Sequence, residues 1–396
     1  MKEDNMKQGW EIKKLGEVCT FCSGYTPKEN EFKKCATIPV PYFKVSDMNH
    51  LENHKYLTYT TLYLENGCKT YPKHTIVFPK NGAAIATNKK RLLGQDSVVD
   101  LNTGGVIAND KIVFYEYLYL FLLNLDFRLF TRRGAVPTLD IAELKKQTIP
   151  VPPLPIQEQI VSELDLLSGI IEKKREQLKE LDALAQSIFY DMFGDPITNE
   201  KGWEVKKLGE VCKVNPSKKD TSIGLSNSDI VSFLPMEDLP IKACYHSPKQ
   251  TRLFSEVQSS YTCFANNDVL MAKVTPCFEN GKIGIASNLM NGIGYGSSEF
   301  IVIRANNIDV IKEYPYFVIQ NTSFIENACA QLTGTSGLRR VPRQYVENCN
   351  ISIPPLPLQH QFATKIEAIE KQKELIKQSI SETETLFNAR MQHYFN

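Results

Sequence analysis

The sequence predicts an α+β protein in a pseudo-two-fold repeat. Two globular α/β domains are separated by two long helices, which pair as an antiparallel coiled coil. Two repeated sequence frames and a change of apolar periodicity after one of them predict this architecture. At 396 residues the chain is longer than one hydrophobic core ordinarily serves, so two or more domains are expected. Its 42% hydrophobic and 23% charged residues are typical of a globular protein.

The first frame occurs twice, almost unchanged. Residues 9–19 read GWEIKKLGEVC, and residues 202–212 read GWEVKKLGEVC. They differ at one position, Ile12 against Val205. Near identity over such a stretch indicates an internal duplication.

The second frame is rich in proline, and the residues between the frames are not similar. It reads VPPLPIQ at 151–157 and IPPLPLQ at 353–359. The inserts between the frames, 20–148 and 213–350, share little beyond a strand-like rhythm. Uniform drift after a duplication would not spare the frames alone. The contrast predicts one shared task for the frames and two different tasks for the inserts.

Apolar residues at coiled-coil spacing follow each proline cluster. Proline does not fit inside a helix but suits its first turn, so we expect a helix of about 35 residues, roughly 50 Å long, after each cluster. Lys174 interrupts the first series, and Lys373 and Thr383 interrupt the second. Two matching stripes favour pairing with each other, and packing of each helix on its own domain is the alternative. The series are Ile160, Leu164, Leu167, Ile171, Leu178, Leu181, Ala185 and Ile188, and then Phe362, Ile366, Ile369, Ile376, Ile380 and Phe387.

These patterns predict four segments and a mixed, β-rich interior for each insert. Short apolar runs between turn residues predict strands, and longer ones predict helices. The predicted domains are 1–150 and 195–352, and the predicted helical spacers are 151–194 and 353–396. The predicted strands are 75–78, 111–114, 268–271 and 300–303, and the predicted helices within the inserts are 117–130 and 315–330.

Basic and amide side chains cluster after predicted strands and helices, at similar places in both copies. Arg and Lys bind phosphates and guanine edges, and Asn suits adenine edges. Such loops on a strand scaffold can enter a major groove, so the clusters predict a DNA-binding surface, although each single residue also fits an ordinary solvated charge. The candidates are Lys80, Asn81, Asn88, Lys89, Lys90, Arg91, Arg132, Arg133, Lys273, Thr275, Asn280, Lys282, Arg339, Arg340 and Arg343.

No motif in the sequence predicts catalysis, a metal or a cofactor. Neither the NPPY or DPPY tetrapeptide of amino-methyltransferases nor the GxxxxGK[ST] loop for ATP occurs. The stretch GIGYG at 292–296 resembles a cofactor loop only superficially and is interpreted as a β-turn. Cys19 and Cys22 lack a second ligand pair for zinc, and the six histidines form no metal-like pair.

Charge and hydropathy narrow the class of protein further. The net charge of +1 requires any DNA binding to rest on local patches. Residues 1–8 have no apolar run of signal-peptide length, and the apolar stretch 115–125 is far short of the ~20 residues of a membrane span. Ten cysteines are too dilute for a disulfide scaffold. We therefore expect a cytoplasmic protein that does not contact a membrane.

The order of these features resembles the specificity subunit of type I restriction-modification systems. An insert, PPLPxQ and a long helix are followed by MFGDP at 192–196 and by GWExKKLGE, and then a second insert, PPLPxQ and helix complete the order. The resemblance covers essentially the whole chain. Residues 272–282, AKVTPCFENGK, also resemble one recurring kind of target recognition domain.

This resemblance implies that 1–150 and 195–352 are target recognition domains, each reading one half of a split site on double-stranded DNA. The paired helices would act as a ruler that fixes the gap between the two half-sites. Two methylation subunits carrying S-adenosylmethionine and further restriction subunits would dock on this chain, which would itself bind no cofactor and catalyse nothing. Lys89, Lys90, Arg132 and Arg133 would serve one half-site, and Lys273, Lys282, Arg339 and Arg340 the other.

Three rival interpretations are open, and the sequence does not exclude the first of them, because the chain would look the same. The chain could serve a fused methylase-nuclease of the type IIB kind, and a neighbouring methyltransferase gene with or without a translocase gene would distinguish the two systems. A coiled-coil scaffold whose two domains bind proteins would retain no DNA at any salt concentration. An autonomous methyltransferase would require a cofactor site within the isolated chain.

Overall fold

The chain divides into two compact units. A computed structural model describes residues 9–28, 39–64, 69–132, 134–221, 224–241, 244–335 and 338–396. The first unit consists of Met1–Lys173 and Ile380–Asn396, and the second unit of Lys174–Ser379. Each unit therefore combines one insert with about half of each long helix.

The first unit is a set of short strands around a buried helix. Its strands are β1 Glu11–Lys14, β2 Cys19–Ser23, β3 Val40–Phe43, β4 Tyr56–Leu57, β5 Tyr63–Leu64, β6 Ile76–Pro79, β7 Arg91–Leu93, β8 Val98–Val99, β9 Thr103–Ala108, β10 Thr131–Arg132, β11 Thr138–Leu139 and β12 Thr148–Val151. Its helices are α1 Leu15–Val18, α2 Tyr115–Asn124, α3 Ile141–Lys145 and the first half of α4 Leu154–Phe193. Six successive residues of α2, 117–122, are buried, as expected of a helix that is apolar on all sides.

The second unit repeats this plan with additional short elements. Its strands are β13 Glu204–Lys207, β14 Cys212–Val214, β15 Ile230–Leu234, β16 Tyr245–His246, β17 Gln250–Leu253, β18 Thr262–Ala265, β19 Val269–Ala272, β20 Ile283–Ala286, β21 Ile293–Gly296, β22 Phe300–Ala305, β23 Thr333–Thr335, β24 Leu338–Arg340 and β25 Asn350–Ile353. Its helices are α5 Leu208–Val211, α6 Lys218–Thr221, α7 Phe254–Val257, α8 Glu313–Gln320, α9 Thr322–Ala330, α10 Arg343–Asn348 and part of α11 Leu356–Phe395.

The central sheets of the two inserts have one topology. The first has the strand order β2-β9-β6-β7-β4 and the second β14-β22-β19-β20-β16. In both, the last strand pairs parallel and all the others pair antiparallel. A second sheet in the first unit, β5-β3-β8, has one antiparallel and one parallel pair. Its counterpart in the second unit, β17-β15-β21-β18, has the same two kinds of pair and a further antiparallel pair between β18 and β21. The two inserts therefore share a fold, although their sequences show little similarity to each other.

The strand registers define which residues correspond. Ile76 pairs with Val106 in the first unit, and Val269 pairs with Ile303 in the second. Counting along these strands, the residue after β6 corresponds to the residue after β19, so that Lys80 corresponds to Lys273. Backbone pairing fixes a common scaffold because it depends little on side chains, and the side chains are then free to differ.

The first repeated frame closes each domain against the strand before its long helix. Strand β1 pairs antiparallel with β12, and β13 pairs antiparallel with β25. The short helix that follows is capped in the same way in both copies. The Lys14 N–H donates to Glu17 Oε2 at 2.9 Å, and the Lys207 N–H donates to Glu210 Oε2 at 3.1 Å. The frame is thus a structural closure, which explains its near identity.

The glutamine of the second frame is a buried hydrogen-bond clamp. Gln157 is fully buried, and its Oε1 accepts the Phe114 N–H at 2.8 Å. Its Nε2 donates to the carbonyls of Ile112 and Pro152 at 3.0 and 2.8 Å. The side chain thereby gives a hydrogen-bond partner to three backbone groups near the start of α4.

Gln359 is the matching clamp in the second unit. It is also fully buried, and its three bonds repeat those of Gln157 one for one. They join it to the Ile311 N–H and to the Asp309 and Pro354 carbonyls at 3.1, 2.8 and 2.8 Å. The conserved geometry explains why PPLPxQ recurs with its glutamine at the same place.

The long helices run antiparallel where they meet. In the second unit Lys373 bonds to Asp182 at 2.6 Å, and Phe362 near the start of α11 packs on Phe189 and Phe193 near the end of α4. Each helix has 40 residues, five more than expected. Each helix also joins the core of its own domain near its start, as Ile160 of α4 does in the first unit and Phe362 of α11 does in the second. The pairing and the alternative of packing on the domains are therefore both realised.

Four sequence-based expectations about local structure were wrong. The helix expected over 117–130 ends at Asn124, and a separate 3-10 helix, Phe127–Phe130, follows it, because the side chain of Asp126 caps that second helix.

Residues 111–114 are not a strand, because Gln157 holds the backbone of Ile112 and Phe114 as they lead into α2. The helix expected over 315–330 is two helices, because Asn321 ends α8 and caps α9 with its side chain. The expected turn GIGYG contributes strand β21. A Cβ on Gly294 would lie 2.2 Å from the Phe264 ring, so this glycine serves close packing in a sheet.

Candidate nucleic-acid interface

In each unit the loop after the central strand is hydrogen-bonded to a hairpin through the backbone. In the first unit the Leu139 N–H donates to the Lys80 carbonyl at 2.9 Å and the Gly82 N–H to the Pro137 carbonyl at 2.8 Å. In the second unit the Val341 N–H donates to the Lys273 carbonyl at 2.8 Å. The first three residues of the loops after β6 and β19, 80–82 and 273–275, therefore lie beside the hairpins β10–β11 and β23–β24. We call each such pair a loop-and-hairpin site.

The second backbone bond of the first site also has an equivalent in the second site. The Thr275 N–H donates to the Arg339 carbonyl at 2.9 Å, in the place of the bond between Gly82 and Pro137. A third segment joins both sites, since Lys80 donates through its N–H to the Asn102 carbonyl and Lys273 to the Glu299 carbonyl, at 2.8 and 2.9 Å. The backbone scaffold of the two sites is the same.

The second site brings together four of the predicted residues. Lys273, Thr275, Arg339 and Arg340 all lie on the loop or the hairpin, and the Arg339 N–H also donates to Thr275 Oγ1 at 3.1 Å. The side chains of Arg339 and Arg340 lie on opposite faces of β24, because successive strand residues alternate. The two arginines therefore serve different surfaces.

Glu299 organises the cations of the second site. Its carboxylate accepts Nε and Nη2 of Arg340, both at 2.9 Å, and lies 3.8 Å from Lys273 Nζ. The hydrogen bonds from Arg340 lower the pKa of Glu299, so this carboxylate remains charged at neutral pH. A carboxylate that accepts two hydrogen bonds from one guanidinium fixes the plane of the guanidinium as well as its position.

The first site presents a different set of groups on the same scaffold. It brings together Lys80, Asn81 and Arg132 among the predicted residues, because Asn81 is bridged to Thr138 and Thr138 pairs with Arg132. Arg132 donates through Nε to Asp140 at 2.6 Å and remains 67% exposed. Among the residues that the structure describes, the Arg132 side chain has a hydrogen-bond partner at Nε alone.

A second group of predicted residues lies elsewhere in the first unit and is engaged in the fold. Asn88 adopts a left-handed backbone with φ of 52° and accepts the Phe127 N–H at 2.9 Å. Arg91 donates to the carbonyls of Asn53 and Lys90, both at 2.8 Å. Lys89 bonds to Asn49. These contacts give the three side chains local structural roles.

Lys90 is buried entirely. Its ammonium donates to Asn88 Oδ1 and to the Leu125 carbonyl, both at 2.7 Å, and lies 4.1 Å from the centre of the Phe127 ring. Burial lowers the pKa of Lys90 to about 7. In this structure the side chain has no surface to offer a phosphate.

The remaining predicted residues of the second unit lie apart from the hairpin. Lys282 donates to the carbonyls of Met236 and Glu237 at 2.8 and 3.1 Å, and the exposed Asn280 lies in the turn before it. Arg343 begins α10 and pairs with Glu347 at 2.7 Å. Arg133 lies outside the described residues.

The structure adds two pairs of corresponding residues that sequence reasoning missed. Asn102 and Glu299 occupy the same position beside the central loop, and the only signal for them is that each lies in a turn before a strand. Val136 and Leu338 correspond on the two hairpins and are 61% and 49% exposed. An exposed aliphatic side chain beside cations is suited to a thymine methyl group.

The described ranges hold no group of three or more His, Cys, Asp and Glu side chains that is arranged to bind a metal ion. No helix in those ranges has the length and apolar character of a membrane span.

The fold and the two sites define a two-domain repeat protein whose copies display different polar side chains from one scaffold. The chain belongs to the type I restriction modification DNA specificity domain family, whose model matches residues 7–182 and 200–385. The two matches coincide with the two copies of the repeat.

Known proteins agree with this assignment. The chain is 30% identical over 239 residues to the type I restriction enzyme EcoAI specificity subunit and 28% identical over 258 residues to that of EcoEI, both from Escherichia coli. These alignments cover 58% and 63% of this chain but 40% and 43% of the relatives, so the chain spans about two fifths of their length. The fold is also that of a type I restriction-modification S subunit from M. genitalium, at 10% identity and a TM-score of 0.53 over 100% of this chain and 98% of that one.

Proposed function

We propose that this chain is the sequence-specific DNA-binding subunit of a type I restriction-modification assembly and reads a bipartite DNA site. The observation that carries the proposal is the pair of loop-and-hairpin sites, alike in backbone and different in side chains. Such a pair suits two unlike half-sites read by one kind of domain. The family to which the chain belongs supports the same conclusion.

The chemistry of the sites fits double-stranded DNA. A two-stranded ribbon fits the major groove, where every base pair presents a distinct set of donors and acceptors. Each site offers a lysine and an arginine, Lys80 and Arg132 in the first and Lys273 and Arg340 in the second, and the first site also offers the amides of Asn81 and Asn102. Amides suit adenine and guanidinium groups suit guanine, so we expect the two half-sites to differ in base composition.

The long helices would set the gap between the half-sites. A 40-residue helix is about 60 Å long at 1.5 Å per residue, and one turn of B-DNA spans about 34–36 Å. Antiparallel packing supports a ruler of fixed length, because neither helix can slide without breaking the buried contacts of the other.

The partners in this proposal supply the chemistry. Two methylation subunits carrying S-adenosylmethionine would dock on the chain, and restriction subunits would join them, while this chain contributes recognition and no catalytic group. Shared phosphate contacts with those partners would account for a net charge of only +1, since nonspecific affinity for DNA comes mainly from the neutralised phosphates.

Methylome sequencing of a strain that carries this chain and its methylation partner tests the proposal. The expected result is modified adenine in a motif of two defined half-sites with an unread gap of constant length. A strain with an intact partner and no such motif, or a motif without a gap, would contradict it. Retention of duplex DNA by the complex at low salt further separates this function from that of a protein-binding scaffold.

A further inference from the structure

Arg340 is fixed to the sheet at both ends of its side chain. Its backbone is bridged to Val274 on the central loop, and its guanidinium is bound by Glu299 through two bonds of 2.9 Å. Glu299 itself directly precedes β22, and its carbonyl accepts the Lys273 N–H at 2.9 Å. The side chain of Arg340 is therefore oriented before any ligand arrives.

One edge of this guanidinium is occupied and another is open. Glu299 takes the edge formed by Nε and Nη2. Within the described part of the chain, Nη1 of Arg340 has no hydrogen-bond partner, and the side chain is 39% exposed. The edge formed by Nη1 and the second Nη2 hydrogen can therefore donate two parallel bonds to adjacent acceptors.

We propose that Arg340 reads a guanine in one half-site and that Glu299 is the positioning residue that aims it. This inference rests on the proposed function and names the base recognised by the second site. The O6 and N7 atoms of guanine are adjacent acceptors in the major groove and match the open edge. Adenine presents a donor and an acceptor there, which a guanidinium edge does not match.

The other arginines of the two sites lack this arrangement. Arg339 lies on the opposite face of β24, and Arg132 in the first unit is held through Nε alone and is 67% exposed. A side chain that is fixed before binding loses less conformational entropy when it binds, so the free-energy cost of recognition is smaller. Arg340 thus has the geometry for base discrimination, while the freer arginines have a geometry that suits phosphate.

The test is methylome sequencing of strains carrying variant chains, since modified adenines report the base preference at each motif position. Arg340→Lys keeps the charge and removes the paired donors, and Glu299→Gln keeps the shape and removes the carboxylate. Glu347→Gln is the matched control, because it makes the same change at the exposed pair with Arg343 on α10. Variants with little methylation in cells are assayed by selection from a randomised duplex library, using the purified chain with its methylation partner.

Arg340→Lys is expected to lower the preference for guanine at one position of one half-site roughly ten-fold or more, since a good bidentate contact is specific for its base. Glu299→Gln should lower the same preference less, and Glu347→Gln should leave it unchanged. The other positions and the gap should remain as in the parent motif.

Two results would overturn the inference while leaving the proposed function intact. One is an unchanged preference at every position in Arg340→Lys. The other is an equal loss of affinity for all sequences, which would make Arg340 a phosphate ligand. A parent chain that directs no bipartite methylation would instead contradict the proposed function itself.

Discussion

The two hairpins carry the same pair of residue types on opposite strands. In the first unit Arg132 on β10 faces Thr138 on β11, and in the second unit Thr333 on β23 faces Arg340 on β24. Because directly opposed residues of a strand pair project to one face, both arginines emerge from the same side of the hairpin. The difference lies in the strand that carries the arginine and in the carboxylate that holds it.

This exchange shows how one scaffold can serve two recognition tasks. The backbone bonds that join the loop to the hairpin are the same in both units, so they contribute no difference in specificity. The side chains differ at several corresponding positions, including Asn102 against Glu299 and Arg132 against Thr333. Substitutions in the shared scaffold should therefore affect both half-sites or their spacing, and substitutions in one site should affect one half-site alone.

Shortening the shared helices should have the largest effect. Deletion of one heptad from each helix removes about 10 Å at 1.5 Å per residue, which corresponds to about three base pairs at 3.4 Å per pair. The methylated motif should change its gap and keep both half-site sequences. Methylome sequencing measures this, and a deletion that altered a half-site while preserving the gap would refute the ruler. Deletion of a heptad from one helix alone should abolish methylation, because the two helices would lose their register.

The glutamine clamps should be equally important in the two units. Gln157→Leu and Gln359→Leu each leave one N–H and two carbonyls without a buried partner, and each unsatisfied group costs about 1–3 kcal/mol. The free energy of unfolding should fall by about 3 kcal/mol or more in both variants, as measured by urea denaturation. Gln177→Leu on the exposed face of α4 is the control and should change it by less than about 0.5 kcal/mol. A large loss in one variant only would break the equivalence of the two frames.

Lys90 offers a test specific to the first unit, because Ile283 occupies the corresponding buried position in the second. The pKa of Lys90 is lowered by burial to about 7, below its value of about 10.4 in an unfolded chain. Between these values the unfolded state binds more protons, so the stability of the folded state rises with pH. The rise is at most about 1.4 kcal/mol per pH unit for one group.

Lys90→Ile should remove the pH-dependent contribution of the buried lysine to stability and make the protein more stable than the parent at pH 6. The acceptors that Lys90 leaves keep other donors, since Asn88 Oδ1 still accepts the Phe127 N–H and the Leu125 carbonyl still accepts Asn88 Nδ2. Urea denaturation from pH 6 to pH 10 measures the difference between the two chains, in which the other titrating groups cancel. Parallel stability curves for the two chains would show that the lysine is charged in the folded state throughout.

Sequence reasoning reached the architecture because the frames and the heptads are periodic and local. It missed the common fold of the inserts, since strand order depends on pairing between distant segments and tolerates many side chains. It grouped Lys80 and Lys273 by their position after predicted strands, and Arg132 and Arg340 by their position after predicted helices. The structure brings Lys80 beside the hairpin of Arg132 and Lys273 beside the hairpin of Arg340, and DNA binding by these residues stays a prediction. Sequence reasoning could not separate them from Lys90, because burial of a lysine is decided by the residues packed around it, here Phe127 from a distant segment.

The smallest expected effect tests how the first hairpin holds its arginine. Asp140→Asn keeps the oxygen that caps α3 through the N–H groups of Ala142 and Glu143, and asparagine caps as well as aspartate. The substitution weakens the contact with Arg132, whose Nε donates to Asp140 Oδ2 at 2.6 Å in the parent chain. The free energy of unfolding should stay nearly unchanged, because an exposed ion pair contributes little to it. Base preference in the methylome should shift less than in Glu299→Gln, because Arg132 is already free to move; an equal or larger shift would mean that both hairpins use a carboxylate to aim an arginine at a base.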